Sequence, residues 1–597
     1  MNYYAANMET LRRRNPGLAT AIDKLEPGAA FIPEQARNGE CTVKINGQYL
    51  HSSHNPSREA GTWVDKIAAH ETGGSRRRVV LGFGLGYHLQ ALLARGFKGT
   101  VIEGDPQLVR FAMENNDLTA VIDSFELLVG LAPEWLHRAH GDILAGTVFS
   151  HPASLRAEPA YLGGLHAYAG ALKAARAGGL KILLVNPISG GSLPIARYCA
   201  SALKNLGHLV TTFAAEAFSK GMDLADGLRF GHCRTTFRSE LATAISRGVE
   251  LMAKETRPDL VLALAQAPLI PETLARLAGM GIATAFWFVE DYRVLTYWRL
   301  LAPAYGHIFG IQKDNFRKEL AAIGVENYHY LPTAAAPEIH LPIPLSREEQ
   351  EMYGSSLSFV GASYYNRLNL FRGLTDYQFK IWGSGWPLAP PLDRLIQLDG
   401  ARIDTETCVR IFNAATVNLN LHSSQTHEGV VPDGDFVNPR TFEIASCGAF
   451  QLTDRRTLLG ELFAEGEIEL FSDLAELREK IDSYLARPDE RMRVARLGRE
   501  RVLAEHTYIG RMEELLAVIL AEEKEMAEKH RFRLAEQERR REGLDRQEGL
   551  RELLDRLPPD ASPTLEDIYG TVREGEGKLS RAEKIFLALK NVEMKLD

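Results

Sequence analysis

Apolar and polar positions along the chain repeat one pattern three times. A short apolar run meets a turn rich in glycine, proline or asparagine, a helical stretch follows, and another apolar run begins. Strands that are apolar throughout suit a parallel sheet covered on both faces. RVVLGFGLGYHLQALLARGFKGTVIEGD (residues 78–105) is the first such block. KILLVNP (181–187) opens the second, which continues through DLVLALAQAPL (259–269), IATAFWFVEDYR (282–293) and HIFGIQKDNFRKELAAIG (307–324). LSFVGASYYNRLNLFRGL (357–374) opens the third, followed by FKIWGSGW (379–386), DTETCVRIFNAATVNLNLH (404–422) and VNPRTFEIASCGAFQLTD (437–454). Alternating strands and helices predict an α/β chain of three Rossmann-like units.

The pattern divides the chain into five parts. Residues 1–135 hold the first unit, 136–178 read as a helical connector ending at Gly178-Gly179, and 179–345 and 346–520 hold the second and third units. Residues 521–597 form a charged helical tail. Before the first unit, CTVKINGQYLHSS reads as a hairpin turned by Asn46-Gly47. The tail from 521 to 556 carries 21 charged residues in 36, too few apolar ones for a sustained heptad. PPDASPT breaks it, and KLSRAEKIFLALKNVEMKLD closes the chain as an amphipathic helix, with a face for a partner or a second copy.

Candidate chemistry sits at the turns. In residues 437–454, Asn438 is a good N-cap, Pro439 suits the first helical position and Gly448 suits a left-handed C-terminal residue. Free amides at the start of that helix can hold a phosphate, assisted by Arg440 and Thr441, and Glu443 shares the face of Arg440. An anionic end beside a hydroxyl-rich end describes a nucleotide sugar. Gly190 and Gly191 form a loop ahead of a helix in the second unit. Asp291 ends an apolar strand, where open α/β sheets place their ligands, and is a candidate acceptor-binding group or general base. In the first unit Gly82, Gly84 and Gly86 alternate at a strand end. Glu103 follows Gly82 by 21 residues, where an acid commonly takes ribose hydroxyls. That site leaves S-adenosylmethionine, a dinucleotide and no ligand all open.

Composition narrows the class. The chain has 597 residues, 45% hydrophobic and 24% charged, as a soluble globular protein has. A net charge of −8 gives no reason to expect nucleic acid or an anionic membrane as partner. Five scattered cysteines without a CxxC argue for reduced thiols in the cytoplasm and against a zinc site. The first residues lack the apolar core of a signal peptide, and no apolar run reaches the length of a membrane span.

Two resemblances follow from these residues. YLHSSHNPSREA (49–60), LGFGLGYHLQAL and VIEGDPQLVRFAMEN resemble the amino-terminal part of the motility accessory factor proteins, which are linked to flagellin glycosylation in bacteria. FVGASYYNR, IWGSGW, NPRTFEIASCGAFQLTD, ELFAEGEIELFSDLAELREKI, RVLAEHTY and WFVEDYR resemble the CgeB-like (spore maturation) glycosyltransferases, over about residues 180–520. That second resemblance implies a GT-B pair made by the second and third units, with the nucleotide-sugar donor between them and no metal. It implies that Glu443 holds the ribose, that Asp435 takes the position of a sugar-contacting acid eight residues earlier, and that His427 and Glu428 are alternatives for that contact. On this reading Arg367 and Arg440 hold the diphosphate, Gly190 and Gly191 close over the donor, and Asp291 faces a protein or glycan acceptor; flagellin as that acceptor follows from the first resemblance. The rival readings are an S-adenosylmethionine-dependent methyltransferase using Gly82 to Glu103, and a non-catalytic scaffold. Asp433-Gly434-Asp435 also spells D-x-D, a metal-binding pattern of a different glycosyltransferase class.

Overall fold

A computed structural model describes residues 3–26, 31–69, 78–545, 565–574 and 578–596, with Leu553 and Arg556. PPDASPT lies outside the described residues. Eighteen strands form four sheets among them. A small antiparallel sheet comes first: β1 (Pro33–Gln35), β2 (Cys41–Ile45) and β3 (Gln48–Tyr49). Asn46 and Gly47 both take positive φ, 51° and 76°, as the expected hairpin turn requires.

Three parallel sheets follow. The first unit orders β4 (Arg78–Leu81), β5 (Thr100–Glu103), β6 (Glu126–Val129) and β7 (Thr147–Ser150) as β6-β5-β4-β7. The second contains β8 (Lys181–Val185), β9 (Leu209–Phe213), β10 (Leu260–Leu264), β11 (Ala283–Phe288), β12 (His307–Gly310) and β13 (Tyr328–Tyr330), ordered β13-β12-β11-β10-β8-β9. The third contains β14 (Ser355–Val360), β15 (Phe379–Trp382), β16 (Ala415–Asn420), β17 (Gln451–Asp454) and β18 (Glu469–Phe471), ordered β15-β14-β16-β17-β18. The three Rossmann-like units expected from the apolar pattern are present.

One boundary moves. β7 lies inside the stretch expected to be a helical connector, yet it pairs with β4 and completes the first sheet. Its four residues, TVFS, are too few to stand out among the surrounding Ala, Gly and His. The first unit thus reaches at least Ser150, and the helix Gly164–Arg176 carries the chain on to β8.

In each parallel sheet the strand order reverses once. β9 lies on one side of β8 and β10 on the other; β15 and β16 flank β14; β5 and β7 flank β4. Loops leaving the two strands at such a reversal part in opposite directions, which opens a crevice beyond the carboxyl ends.

The chain's end ties the second and third units together. The helix Pro488–Glu505 packs on the third unit, against the helix Pro439–Ser446. The next helix, Tyr508–Glu522, crosses back and lies along Gly164–Arg176 and the helix Ser192–Asn205. Its Met512, Leu515, Leu516, Ile519 and Leu520 are buried in one core with Leu165 and Leu172. The turn between the two helices exchanges backbone bonds with Ala335, which donates to the His506 carbonyl (3.0 Å) and accepts from Tyr508 N–H (3.0 Å). Beyond it the charged helix Lys524–Asp545 returns to the second unit, with His530 Nε2 2.7 Å from the Gly178 carbonyl and Arg533 2.6 Å from Asp259. His307 holds the end of the crossing helix between two carboxylates, Glu522 at 3.2 Å and Glu523 at 3.0 Å.

Leu516 is fully buried in that shared core. Leu516→Ala should cost about 3 kcal/mol of unfolding free energy, read from denaturant midpoints, because the lost transfer term is joined by a cavity term. His307 titrates above its ordinary pKa; burial opposes its charge, but Glu522 and Glu523 more than offset it. Its contribution is therefore complete below about pH 6.5 and is lost as pH rises through the raised value. Amide exchange in residues 515–522 should quicken as pH rises above 6.5 by more than the intrinsic rate, and a His307→Gln variant should lack that excess.

Candidate functional site

A cleft of about 780 Å³ separates the second and third units. The carboxyl ends of β8, β10 and β11 line one wall, and those of β14 and β15 with the helix Pro439–Ser446 line the other. Each wall contains a strand-order reversal, so two crevices face one space.

The helix Pro439–Ser446 is built as its sequence predicts. Asn438 caps it, accepting from Thr441 N–H at 3.1 Å; Pro439 occupies the first turn; Gly448 sits at φ +65°. Arg440 and Glu443 share a face and form an ion pair there, both lining the cleft. Glu443 is nearly buried, with His340 Nε2 3.9 Å from its carboxylate. Thr441 is turned the other way. Its hydroxyl accepts from Asn420 Nδ2 (2.9 Å) and donates to Asn438 Oδ1 (3.2 Å), and it is fully buried. It fastens the helix to β16 and does not face a ligand.

On the opposite wall, Gly190 and Gly191 line the cleft ahead of the helix Ser192–Asn205. Gly190 has φ +97°, and a Cβ there would lie 2.7 Å from Gln266 Oε1. Two contacts bridge the walls: Arg402 donates to the Gly190 carbonyl at 2.7 Å, and Tyr198 and Thr405 hydroxyls lie 3.1 Å apart. Arg197, Arg402 and Arg440 all line the cleft, giving it three guanidinium groups. Glu290, at the end of β11, completes this wall and accepts from Ser192 and Gln266, each at 3.0 Å.

Several expected residues have other work. Arg367 does not line the cleft. Its Nε and Nη2 donate to the Leu421 carbonyl (3.0 and 2.7 Å) and its Nη1 to the Ala362 carbonyl (2.7 Å). It staples the loops after β14 and β16 across the strand reversal, and burial lowers its pKa to about 10. Asp291 and Asp435 belong to a clasp between the two units. Arg293 holds Asp435 through two bonds of 2.8 Å, while Gln312 Nε2 donates to Asp435 (2.9 Å) and Asp291 (3.1 Å). Burial raises the Asp435 carboxyl, and the bonds from Arg293 and Gln312 overcome it, leaving the pKa below the ordinary value. Neither acid lines the cleft. His427 and Glu428 lie on an exposed loop, bonded to Ser424 (3.1 Å) and Tyr365 (3.2 Å), also outside the cleft lining. The residues that sequence reasoning missed are Glu290, Gln266, Arg197, Arg402 and Tyr198.

Comparison with known proteins agrees with the third unit's part in this site. Residues 367–517 match the glycosyl transferase-like family model. The chain is 24% identical to spore protein CgeB of Bacillus subtilis (strain 168) over 276 residues, 44% of this chain and 84% of that protein. The matched residues make up most of the third unit. Among solved structures, sucrose-phosphate synthase from Thermosynechococcus elongatus is 14% identical, with 59% of this chain and 99% of that one covered at a TM-score of 0.42. Anabaena HepE in complex with UDP and glucose is 12% identical, with 56% and 98% covered at 0.41.

The first unit's crevice is filled by the protein itself. Gly82, Gly84 and Gly86 all have positive φ, as the tight turn requires. A Cβ on Gly82 would meet Ser154 at 2.3 Å, on Gly84 His51 at 2.8 Å, and on Gly86 Leu118 at 2.3 Å. Glu103 accepts from Phe83 N–H (2.7 Å) and Gly104 N–H (2.9 Å), so its carboxylate fixes the turn. The glycines make room for neighbouring side chains.

His51, His88 and His151 occupy that crevice as a buried stack. His88 and His151 are parallel within 4° at 4.2 Å, and His51 lies 4.9 Å from His151. His51 Nε2 accepts from Leu85 N–H at 3.0 Å, so in the neutral ring the proton sits on Nδ1. One ring nitrogen from each of the three histidines lies within 4.8 Å of the others. A larger cavity, about 1040 Å³, lies between the first unit and the crossing helix. Arginines on its walls are engaged by carboxylates, Arg138 by Glu514 and Arg176 by Asp142 and Glu513.

The histidine stack should make the first unit acid-sensitive. Burial lowers the His88 pKa to about 4, so the unfolded chain takes up its proton first as pH falls. Nothing is lost above pH 6.5; between 6.5 and 4, His88 alone should remove about 3 kcal/mol of stability. Unfolding curves across this range should show a shallower acid limb for His88→Gln than for the unaltered chain.

Proposed function

We propose that this protein transfers a sugar from a nucleotide-sugar donor to an acceptor. The observation that carries the reading is the cleft between two Rossmann-like units, where Arg440 and Glu443 on one wall face Gly190 and Gly191 on the other. The diphosphate lies against Arg440 and the first turn of the helix Pro439–Ser446, where free amides and the helix dipole favour an anion. Arg402 and Arg197 extend the positive charge, so the leaving diphosphate is stabilised by guanidinium groups and no metal is required. Glu443 takes the ribose hydroxyls once the donor engages Arg440. The family match over 367–517 supports this division, since it covers the wall that would hold the nucleotide.

The acceptor is a protein such as flagellin, or a surface glycan. This part of the proposal rests on the resemblance of the first unit to the motility accessory factors and on the filled crevice of that unit, which suits recognition or assembly better than ligand binding. The setting is the cytoplasm, with five free cysteines among the described residues and no described helix long and apolar enough to cross a membrane.

A panel of nucleotide sugars screened by thermal shift should give at least one that raises the midpoint by mass action. For that donor, Arg440→Ala and Glu443→Gln should each weaken binding by about tenfold or more in calorimetry, the scale of one charge-assisted bond. Unchanged affinity in both folded variants would sink the assignment.

A further inference from the structure

Four carboxylates line the cleft, and three have protein partners that fix them. Glu443 is paired with Arg440. Asp404 caps its helix, accepting from Thr407 N–H and hydroxyl at 2.9 Å each. Both oxygens of Glu216 face Asn186 Nδ2, at 3.2 and 3.0 Å, with Arg197 4.0 Å away.

Glu290 differs. The bonds from Ser192 Oγ and Gln266 Nε2 both land on Oε1, and Oε2 has no protein donor among the described residues. No cation among the described residues is paired with it. The two donors are held from elsewhere. Gln266 sits at φ +67°, an unusual conformation for a residue with a Cβ, with its N–H bonded to Tyr297 Oη at 2.8 Å and its amide against Gly190. Ser192 begins the helix that follows the glycine loop. Three strand ends of the second unit, after β8, β10 and β11, thus orient one carboxylate and leave one of its oxygens for the cleft.

We propose that Glu290 is the general base of the transfer, resting on the glycosyltransferase reading above. Its Oε2 takes the proton of the acceptor hydroxyl. The acceptor oxygen forms the bond to the anomeric carbon, and the bond from that carbon to the diphosphate oxygen breaks. Its electron pair leaves with the nucleoside diphosphate, toward Arg440. The role belongs to Glu290 and not to its neighbour Asp291, which is spent on the clasp with Gln312 and Arg293. Burial also lifts the Glu290 carboxyl above the ordinary range, against the bonds from Ser192 and Gln266. A carboxylate of raised pKa is better matched to a hydroxyl proton than an ordinary one.

The test is release of nucleoside diphosphate from UDP-glucose, UDP-N-acetylglucosamine, GDP-mannose and dTDP-rhamnose, with water as acceptor, by the full chain. The unaltered protein should turn over at least one of them, with kcat rising from acid to neutral pH through one ionisation. Glu290→Gln should lower kcat about 100-fold or more and remove that acid limb, with the donor KM changed less than threefold. Ser192→Ala removes one bond that favours the charged form, so its acid limb should move to higher pH, which a merely structural role would not cause. Asp291→Asn removes a neighbouring negative charge that raises the Glu290 carboxyl, so its acid limb should be kept but moved to lower pH. Glu290→Gln with near-normal kcat, or with the limb intact, overturns the assignment while leaving the donor site standing. No turnover and no thermal shift with any donor would overturn the glycosyltransferase reading and the base together.

Discussion

A site made from two sheets exists only while the sheets are held face to face. Here that constraint is met by the crossing helix Tyr508–Glu522, whose apolar face is buried in the core of the second unit while its preceding helix belongs to the third. The link is not a tether. Its turn trades backbone bonds with Ala335, and Arg511 Nε donates to the Pro332 carbonyl at 2.8 Å, so the outgoing and returning chain segments are locked together. Nearer the cleft, Arg293, Asp435, Gln312 and Asp291 clasp the same two units with directional polar bonds. Apolar burial supplies most of the attraction, because it is non-directional and grows with area. The clasp adds register, because a two-bond arginine–carboxylate contact tolerates little displacement.

The three units show how one topology gives different outcomes. Each has a strand-order reversal and a crevice beyond it. In the first unit His51, His88, His151 and Ser154 close that crevice, and the glycines accommodate them. In the third, Arg367 pins the loops on either side of the reversal by binding their carbonyls, so the crevice keeps its shape without being filled. In the second, the loops after β8 and β10 meet through Gln266 and Gly190 and hold Glu290 between them. A crevice is thus a site only where the side chains around it are engaged with one another and not inserted into it.

Local signals were legible wherever local chemistry decides. Apolar runs named the strands, because a parallel sheet buries both faces of each. Asn438, Pro439 and Gly448 named the ends of the site helix, and the spacing of Arg440 and Glu443 put both on one face, since a cap and a helical turn involve only residues a few positions apart. Asn46-Gly47 named its turn for the same reason. β7 was missed because four weakly apolar residues carry little signal.

What the sequence by itself determined is therefore the α/β class, the three units, and the helix bearing Arg440 and Glu443. Only the tertiary structure decided which acids face the cleft. Residues 290 and 291 are adjacent acids in the loop just past β11, and neighbouring side chains of a loop can face different surroundings. Which side is the cleft depends on how the third unit docks, which no local pattern records. The same holds for Asp435, engaged by Arg293 from 142 residues away, and for Gly82, Gly84 and Gly86, where a turn built for a ligand and a turn built for histidines use the same residues. Glycine reports that space is needed; only the fold says what occupies it.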